Sequence, residues 1–381
     1  MKIAFEMHPV LSTEKTGVGF YTENLIRHTI KENPKNEFIA EYFLFKNKKN
    51  TRAMVREYSG MLPYECCFPR FIYRMVSILI PLPYRWFFRN DASVRHFFNY
   101  IVPPFAGGKN VVTIHDLGFR RFPETVALRT RWLLRASLRR SIARADVILA
   151  ISEFTRQEIL HFYRCPPEKV QVLYAGVDQE KYHAHISLAE IARVKNKYGI
   201  DGSYILYLGT LEPRKNIERL LCAYAQFKQR HADAPALVIA GRKGWLYDGI
   251  FQRVVTCGID LHVHFTGYAD DRDKPGLLAG AMFFCFPSLY EGFGMPPLES
   301  MACGTPVLAS NAASLPEVIK DAGILVDPFS ITDIADGMEL LYTDDKLRAE
   351  LSQKGIARAA EFNWDQLSKK LFTIYKSLEE I

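Results

Sequence analysis

The chain has 381 residues, 48% apolar and 24% charged, with a formal net charge of +7. That length points to two domains, and the proportions are those of a soluble globular protein rather than a disordered or fibrous chain. Seven cysteines without a Cys-x-x-Cys, and ten histidines without His-x-x-x-His or His/Cys clustering, argue against a disulfide framework and against a metal site.

Met1-Lys-Ile-Ala-Phe-Glu is too short for a signal peptide and reads as a first strand over 2–6, so a reduced, cytoplasmic protein is expected. Thr16-Gly17-Val-Gly19-Phe-Tyr21 then precedes an amphipathic helix; a lone glycine loop is a weak motif, but after a first strand it would face a cleft. A strand follows at 38–44. Cys66 to Arg89 stands apart, with Arg70, Arg74, Arg85 and Arg89, no acid and many aromatics. Its apolar run, broken by Pro81 and Pro83, is too short to span a bilayer. Two readings fit it: an interfacial segment, or a core helix whose arginines snorkel outward.

Strands at 111–114 and 147–151 come next. His115 and Asp116 project from the end of the first, where a histidine can exchange hydrogen bonds with a sugar hydroxyl. Ser152 and Thr155 follow the second, where Ser152 also suits a helix N-cap. Residues 1–185 carry 28 Lys/Arg against 17 Asp/Glu, and residues 186–381 carry 21 against 25. The basic half points to an anionic partner, nucleic acid or a membrane surface.

The domain boundary is expected near 180–195. Beyond it, apolar strands at 204–209, 236–241, 263–267, 283–287 and 306–310 alternate with amphipathic stretches. Such strands imply parallel sheets covered on both faces, hence an α/β chain of two doubly wound, Rossmann-like domains, with ligands beyond the strands' carboxyl ends. The domains are 1–185 and 186–363. The helix 364–381, with a stripe of Leu367, Leu371, Ile374, Tyr375 and Leu378, is expected to return to the first.

The densest signal is Ser288-Leu-Tyr-Glu-Gly-Phe-Gly-Met-Pro-Pro-Leu-Glu299. Glu291 should lie in a loop, Gly294 and Met295 at an open helix end suited to phosphate, and Glu299 in the first helical turn. A carboxylate accepts from paired hydroxyls, so the segment outlines a nucleotide-sugar site. In Leu208-Gly-Thr-Leu-Glu-Pro-Arg-Lys-Asn216, Arg214 and Lys215 at a strand-to-helix turn can neutralise a diphosphate. Lys243, in Gly241-Arg-Lys-Gly244, would add charge. Asp271-Arg-Asp273 has a metal-binding spacing, but its polar run, Asp270 to Lys274, reads as a solvated loop.

With these residues assembled, the chain resembles the family 4 retaining glycosyltransferases of the GT-B fold. The likeness rests on Ile114-His-Asp-Leu, Phe122-Pro-Glu, Ala150-Ile-Ser-Glu-Phe-Thr, Tyr174-Ala-Gly-Val-Asp, the Gly209 to Asn216 turn and the Glu291 to Glu299 spacing. It implies a donor domain at 186–363 and an acceptor domain at 1–185. It further implies Glu299 on the ribose hydroxyls, Arg214 and Lys215 on the diphosphate, and backbone N–H groups of Phe293, Gly294 and Met295 assisting. Glu291 would meet the donor sugar, His115 would lie near the reacting carbon, and Gly17 and Gly19 would close from the other domain. Thr210 stands where many members have an arginine, a charge that Arg214 replaces.

The pattern is most similar to bacterial mannosyltransferases of O-antigen or capsule assembly. That resemblance implies α-transfer of mannose from GDP-mannose without metal or other cofactor, onto a glycan or polyprenyl-diphosphate-linked oligosaccharide. It places the protein at the inner face of the cytoplasmic membrane, touching it through 66–90. The rival readings are a sugar-nucleotide 2-epimerase of the same architecture and a nucleic-acid-binding protein. The second has a basic half but no recognised nucleic-acid module, so no nucleic-acid partner is expected.

Overall fold

The computed structural model describes every residue except Thr13, Glu14, Thr16, Lys46 and Ile381, so the first residue of the expected glycine loop lies outside the described residues. The chain forms two compact units. The first takes in Met1–Arg121, Leu128–Gly176 and the last helix, Trp364–Glu379; the second takes in Phe122–Ala127 and Val177–Asn363.

In the first unit, seven parallel strands run in the order β3-β2-β1-β4-β5-β6-β7. They are β1 (Lys2–Glu6), β2 (Glu37–Phe43), β3 (Met61–Cys66), β4 (Val94–Phe97), β5 (Lys109–Ile114), β6 (Val147–Ala150) and β7 (Val170–Val172). The central strands are apolar because helices cover both faces; Ile3, Ala4 and Phe5 have no exposed surface. Burial of a large side chain such as Ile3 or Phe5 contributes about 1.5–3 kcal/mol. β4 breaks the apolar rule. Arg95 pairs with Glu41 at 3.2 Å, and its guanidinium also donates to carbonyls of Asn90, Ala92 and Gly107. His96 bonds Tyr375 on the last helix at 2.6 Å and Thr113 on β5 at 2.8 Å. These partners replace the water that both side chains lose.

The second unit holds six parallel strands in the order β10-β9-β8-β11-β12-β13. They are β8 (Tyr204–Leu208), β9 (Ala236–Ala240), β10 (Val263–Gly267), β11 (Phe283–Phe286), β12 (Val307–Ser310) and β13 (Ile324–Val326). All four residues of β11 are fully buried. The order reverses between β8 and β11, so the loops after these two strands flank the switch point of the sheet.

The boundary differs from the expected 185/186: it falls at 176/177, and Phe122–Ala127 joins the second unit. Local packing explains both. Gly176 lies against Trp364 so closely that a Cβ would meet the indole at 2.7 Å, whereas Val177 N–H donates to Phe362 O at 2.9 Å. Phe122 packs on Tyr290, and Trp245 donates to Thr125 O at 2.6 Å.

The segment 66–89 is not a core helix. Its helix, Arg70–Leu79, buries only Tyr73, while Phe71, Ile72, Leu79 and Ile80 are 46–84% exposed. Trp86 is also exposed, and Arg129 stacks on Phe71 with its guanidinium carbon 4.2 Å from the ring centre. No described helix is long and apolar enough to cross a membrane.

Candidate active site

Two loops of the second unit meet at Glu291. The turn after β8 carries Glu212, Arg214 and Lys215, and the loop after β11 carries Glu291. Lys215 Nζ lies 2.6 Å from Glu291 Oε1, and Arg214 reaches Oε2 at 3.1 Å. Arg214 also donates to Tyr290 O at 2.6 Å and to Glu212 at 2.8 Å. Burial alone would raise the Glu291 pKa, but Lys215 and Arg214 outweigh it and hold the carboxyl below its ordinary range. It is therefore ionised, with only 7% of the residue exposed.

Gly294 starts the helix Met295–Ala302 at φ 105°, a conformation that suits glycine, and a Cβ there would strike Leu315 at 2.6 Å. Pro296 and Pro297 carry no N–H, so the helix end can present donors only from Met295 and the residues before it. Ser314 fastens the loop by donating to Glu291 O and Phe293 O at 2.9 and 3.0 Å.

Glu299 is not in the first turn: it is the fifth residue of this helix, because Gly294 rather than a later residue is the cap. Its carboxyl is hydrogen-bonded by Tyr182 and lies in the field of Lys274 and Lys181. Burial nonetheless raises its pKa above the ordinary carboxylate value, against the pull of both lysines. Those lysines bracket Asp271 at 3.0 and 2.5 Å.

The run Asp270 to Lys274 is therefore not a solvated loop. Asp273 has no exposed side-chain surface and accepts from Arg193 at 2.5 Å, from Lys197, and from Tyr198 at 3.0 Å. Asp271 and Asp273 each answer a separate set of cations, and no described group of His, Cys, Asp and Glu has the arrangement of a metal site.

The other expected residues stand outside this ion-pair group, Lys243 next to it in a backbone bridge with Leu211 of the β8 turn. Lys243 is exposed and its ammonium sits over Tyr247 and Phe251, about 5 Å from each ring, with no ion pair to the Glu291 group. Cation–π contact competes with the diphosphate role expected for it. Phe293 is 3% exposed and packs edge-on against Phe362, so only its backbone can face a ligand.

His115, Gly17 and Gly19 belong to the first unit. His115 directly follows β5, its Nε2 is 2.7 Å from Phe98 O, and its ring meets Tyr21 edge-on at 5.2 Å. Burial lowers its pKa, so the ring is neutral, Nε2 carries the hydrogen and Nδ1 is an acceptor. Gly17 opens the helix Gly17–Glu32. Gly19 is required for packing, since a Cβ would meet Pro9 O at 2.8 Å. Ser152 caps the helix Glu153–Tyr163 by accepting from Thr155 N at 3.0 Å.

Sequence reading missed the supports. Asn216 sits at φ 60° and its amide donates to Pro287 O at 2.9 Å and Pro328 O at 2.7 Å, clamping the end of β11 to the β8 turn. Lys181, Tyr182 and Lys274 around Glu299 gave no local signal, because they come from two stretches of chain far from Glu299 in sequence.

Residues 189–358 match the model of glycosyl transferases group 1, and residues 16–181 match that of glycosyltransferase family 4. An O-antigen chain mannosyltransferase B of Escherichia coli is 31% identical over 99% of this chain and 100% of its own length. A serotype-specific mannosyltransferase of the same species is 35% identical over 58% of this chain, but that match covers only 27% of the longer relative. Among solved structures, the Anabaena protein HepE, crystallised with UDP and glucose, superposes with a TM-score of 0.76 at 19% identity, covering 99% of this chain and 100% of HepE. A sucrose-phosphate synthase from Thermosynechococcus elongatus gives 0.73 at 17%, covering 99% of this chain and 98% of its own. Full-length identity to a curated transferase, two family models end to end and the paired parallel sheets agree: this chain belongs to the family 4 glycosyltransferases of the GT-B fold.

Proposed function

We propose that the protein moves mannose from GDP-mannose, with retention and without metal, to a glycan or polyprenyl-diphosphate-linked oligosaccharide in bacterial surface-polysaccharide assembly. The observation that carries the reading is the junction of Arg214, Lys215 and Glu291 beside the N-terminus of the helix Met295–Ala302. The mannosyltransferase names of its relatives support the choice of sugar.

As the bond from the anomeric carbon to the β-phosphate oxygen breaks, negative charge grows on the departing diphosphate. Arg214 and Lys215 bring two oriented cations to that charge, and fixed cations in a partly dry site stabilise it without reorganising. Glu291 keeps lone pairs for a sugar hydroxyl, and Glu299 for the ribose pair. The acceptor oxygen attacks the same face that the diphosphate leaves, and its proton passes to the departing phosphate. His115, neutral with Nδ1 as acceptor, serves a donor-sugar hydroxyl near the reacting carbon. The exposed apolar face of the helix Arg70–Leu79 rests on the inner surface of the cytoplasmic membrane.

Thermal-shift titration with GDP-, UDP-, dTDP- and ADP-sugars in EDTA tests the reading. The expected result is a rise in melting temperature with GDP-mannose that Lys215→Ala and Glu299→Ala weaken. Binding only after Mn²⁺ or Mg²⁺ is added would sink the metal-free mechanism. Conversion of the nucleotide sugar to its epimer without acceptor would sink the transferase.

A further inference from the structure

The first unit contains a pocket whose charges do not balance. About 630 Å³ of space, including its solvent mouth, is lined by Arg70, Arg74, Arg140 and Arg144, with Glu6 as the single acid. Arg70 pairs with Glu6 at 3.2 Å. Arg140 donates to Ile78 O, and Arg144 to Val102 O at 3.2 Å, both neutral acceptors. Arg74 has no ion-pair or hydrogen-bond partner among the described residues. Its guanidinium is desolvated beside Arg70, and its pKa falls to about 9, with burial the first cause and Arg70 the second.

An unpaired guanidinium held next to another cation is costly, and proteins ordinarily cancel such charge with an anion. The pocket also lies where a ligand belongs, since Glu6, Phe97 and Asn99 place it at the carboxyl ends of β1 and β4.

The helix that supplies Arg70 and Arg74 is inverted relative to an ordinary surface helix: both arginines line the pocket, while Phe71 and Ile72 beside them are about half exposed. A ligand that joins an anionic head to an apolar tail satisfies both faces at once. Phosphate-type oxygens are the anion class that arginine forks match best, two N–H groups at a time.

We propose that this pocket is an anion subsite that takes the phosphate or diphosphate group of the acceptor, with the apolar face of the helix Arg70–Leu79 against its lipid. Assigning the anion to an acceptor rests on the transferase reading above; the anion site itself does not.

The test uses the full chain saturated with GDP, so that the Arg214 and Lys215 group is occupied, and titrates inorganic phosphate, pyrophosphate and farnesyl diphosphate by calorimetry. Pyrophosphate is expected to bind, and Arg74→Gln to weaken it at least tenfold while leaving GDP affinity unchanged. The Arg74→Gln protein should melt no lower than the parent, because it loses a strained charge and no partner.

Farnesyl diphosphate binding tighter than pyrophosphate supports the lipid contact of the apolar face, whereas equal binding overturns that contact and leaves the anion site standing. Absence of phosphate, pyrophosphate and prenyl diphosphate binding overturns it, as does an Arg74→Gln protein that binds them like the parent or melts markedly lower. Failure of GDP binding with pyrophosphate binding intact would instead overturn the transferase reading and leave the pocket standing.

Discussion

The two cationic groups of the molecule are built on opposite principles. In the second unit, Arg214 and Lys215 face Glu212 and Glu291, two charges against two, all within hydrogen-bonding distance. In the first, four arginines face Glu6 alone. A compensated group is rigid and folded before any ligand arrives, so its donors are aimed rather than merely attractive. An uncompensated group holds its charge in reserve for a partner that brings its own.

The largest effect that would break this comparison is Lys215→Ala. It should leave Glu291 buried with one cation, lower stability by about 3 kcal/mol, and cut transfer by about 100-fold or more; denaturant melts and turnover with saturating donor measure both. Asn216→Ala comes next. Losing two carbonyl contacts and a residue suited to positive φ should cost about 2–3 kcal/mol, and donor affinity should fall because the Arg214 turn loosens.

Asp273 sharpens the point with pH. Burial pushes its pKa up, but Lys197, Arg193 and Tyr198 win and bring it to about 2. Its folded pKa lies below its unfolded value, so its stabilisation is complete above about pH 4 and disappears as pH falls toward 2, worth about 2 kcal/mol in all. Asp273→Asn should flatten that acid limb in a pH series of melts.

Glu291→Gln has effects of opposite sign. With one anion gone, GDP should bind about three- to tenfold tighter, while sugar transfer declines; looser GDP binding would show that Glu291 orders the cations rather than neutralising them. The smallest effect belongs to Arg74→Gln, a rise of about 1–3 °C in melting temperature. The same substitution at Arg214 should lower it, because there the partners exist.

Much of this was legible from residues alone, and the exceptions have physical causes. The apolar strands β1, β2, β5, β6, β8, β9, β11 and β12 stand out because both faces of a parallel sheet are dry, whereas β10 is legible although it is a half-buried edge strand. β4 was hidden because Arg95 and His96 are buried with partners brought from β2, β5 and the last helix. β3 was hidden because it is an exposed edge strand containing Pro63. At the site, Glu291, Glu299, Arg214 and Lys215 were marked by short-range context: a glycine turn, a proline pair and a strand-to-helix junction. Lys243 carried the same kind of mark and proved to rest on aromatic rings.

The sequence by itself determined the α/β class, the two units, the two glutamates and the cation pair, because periodicity and turn chemistry act over a few residues. Only tertiary structure decided what neutralises what. Glu291 lies between Arg214 and Lys215, Glu299 between Tyr182 and two lysines, Asp273 beneath Arg193 and Lys197, and Arg74 has no ion pair of its own among the described residues, Glu6 being taken by Arg70. Charge compensation depends on distances between residues far apart in the chain, and those distances exist only once the sheets have formed.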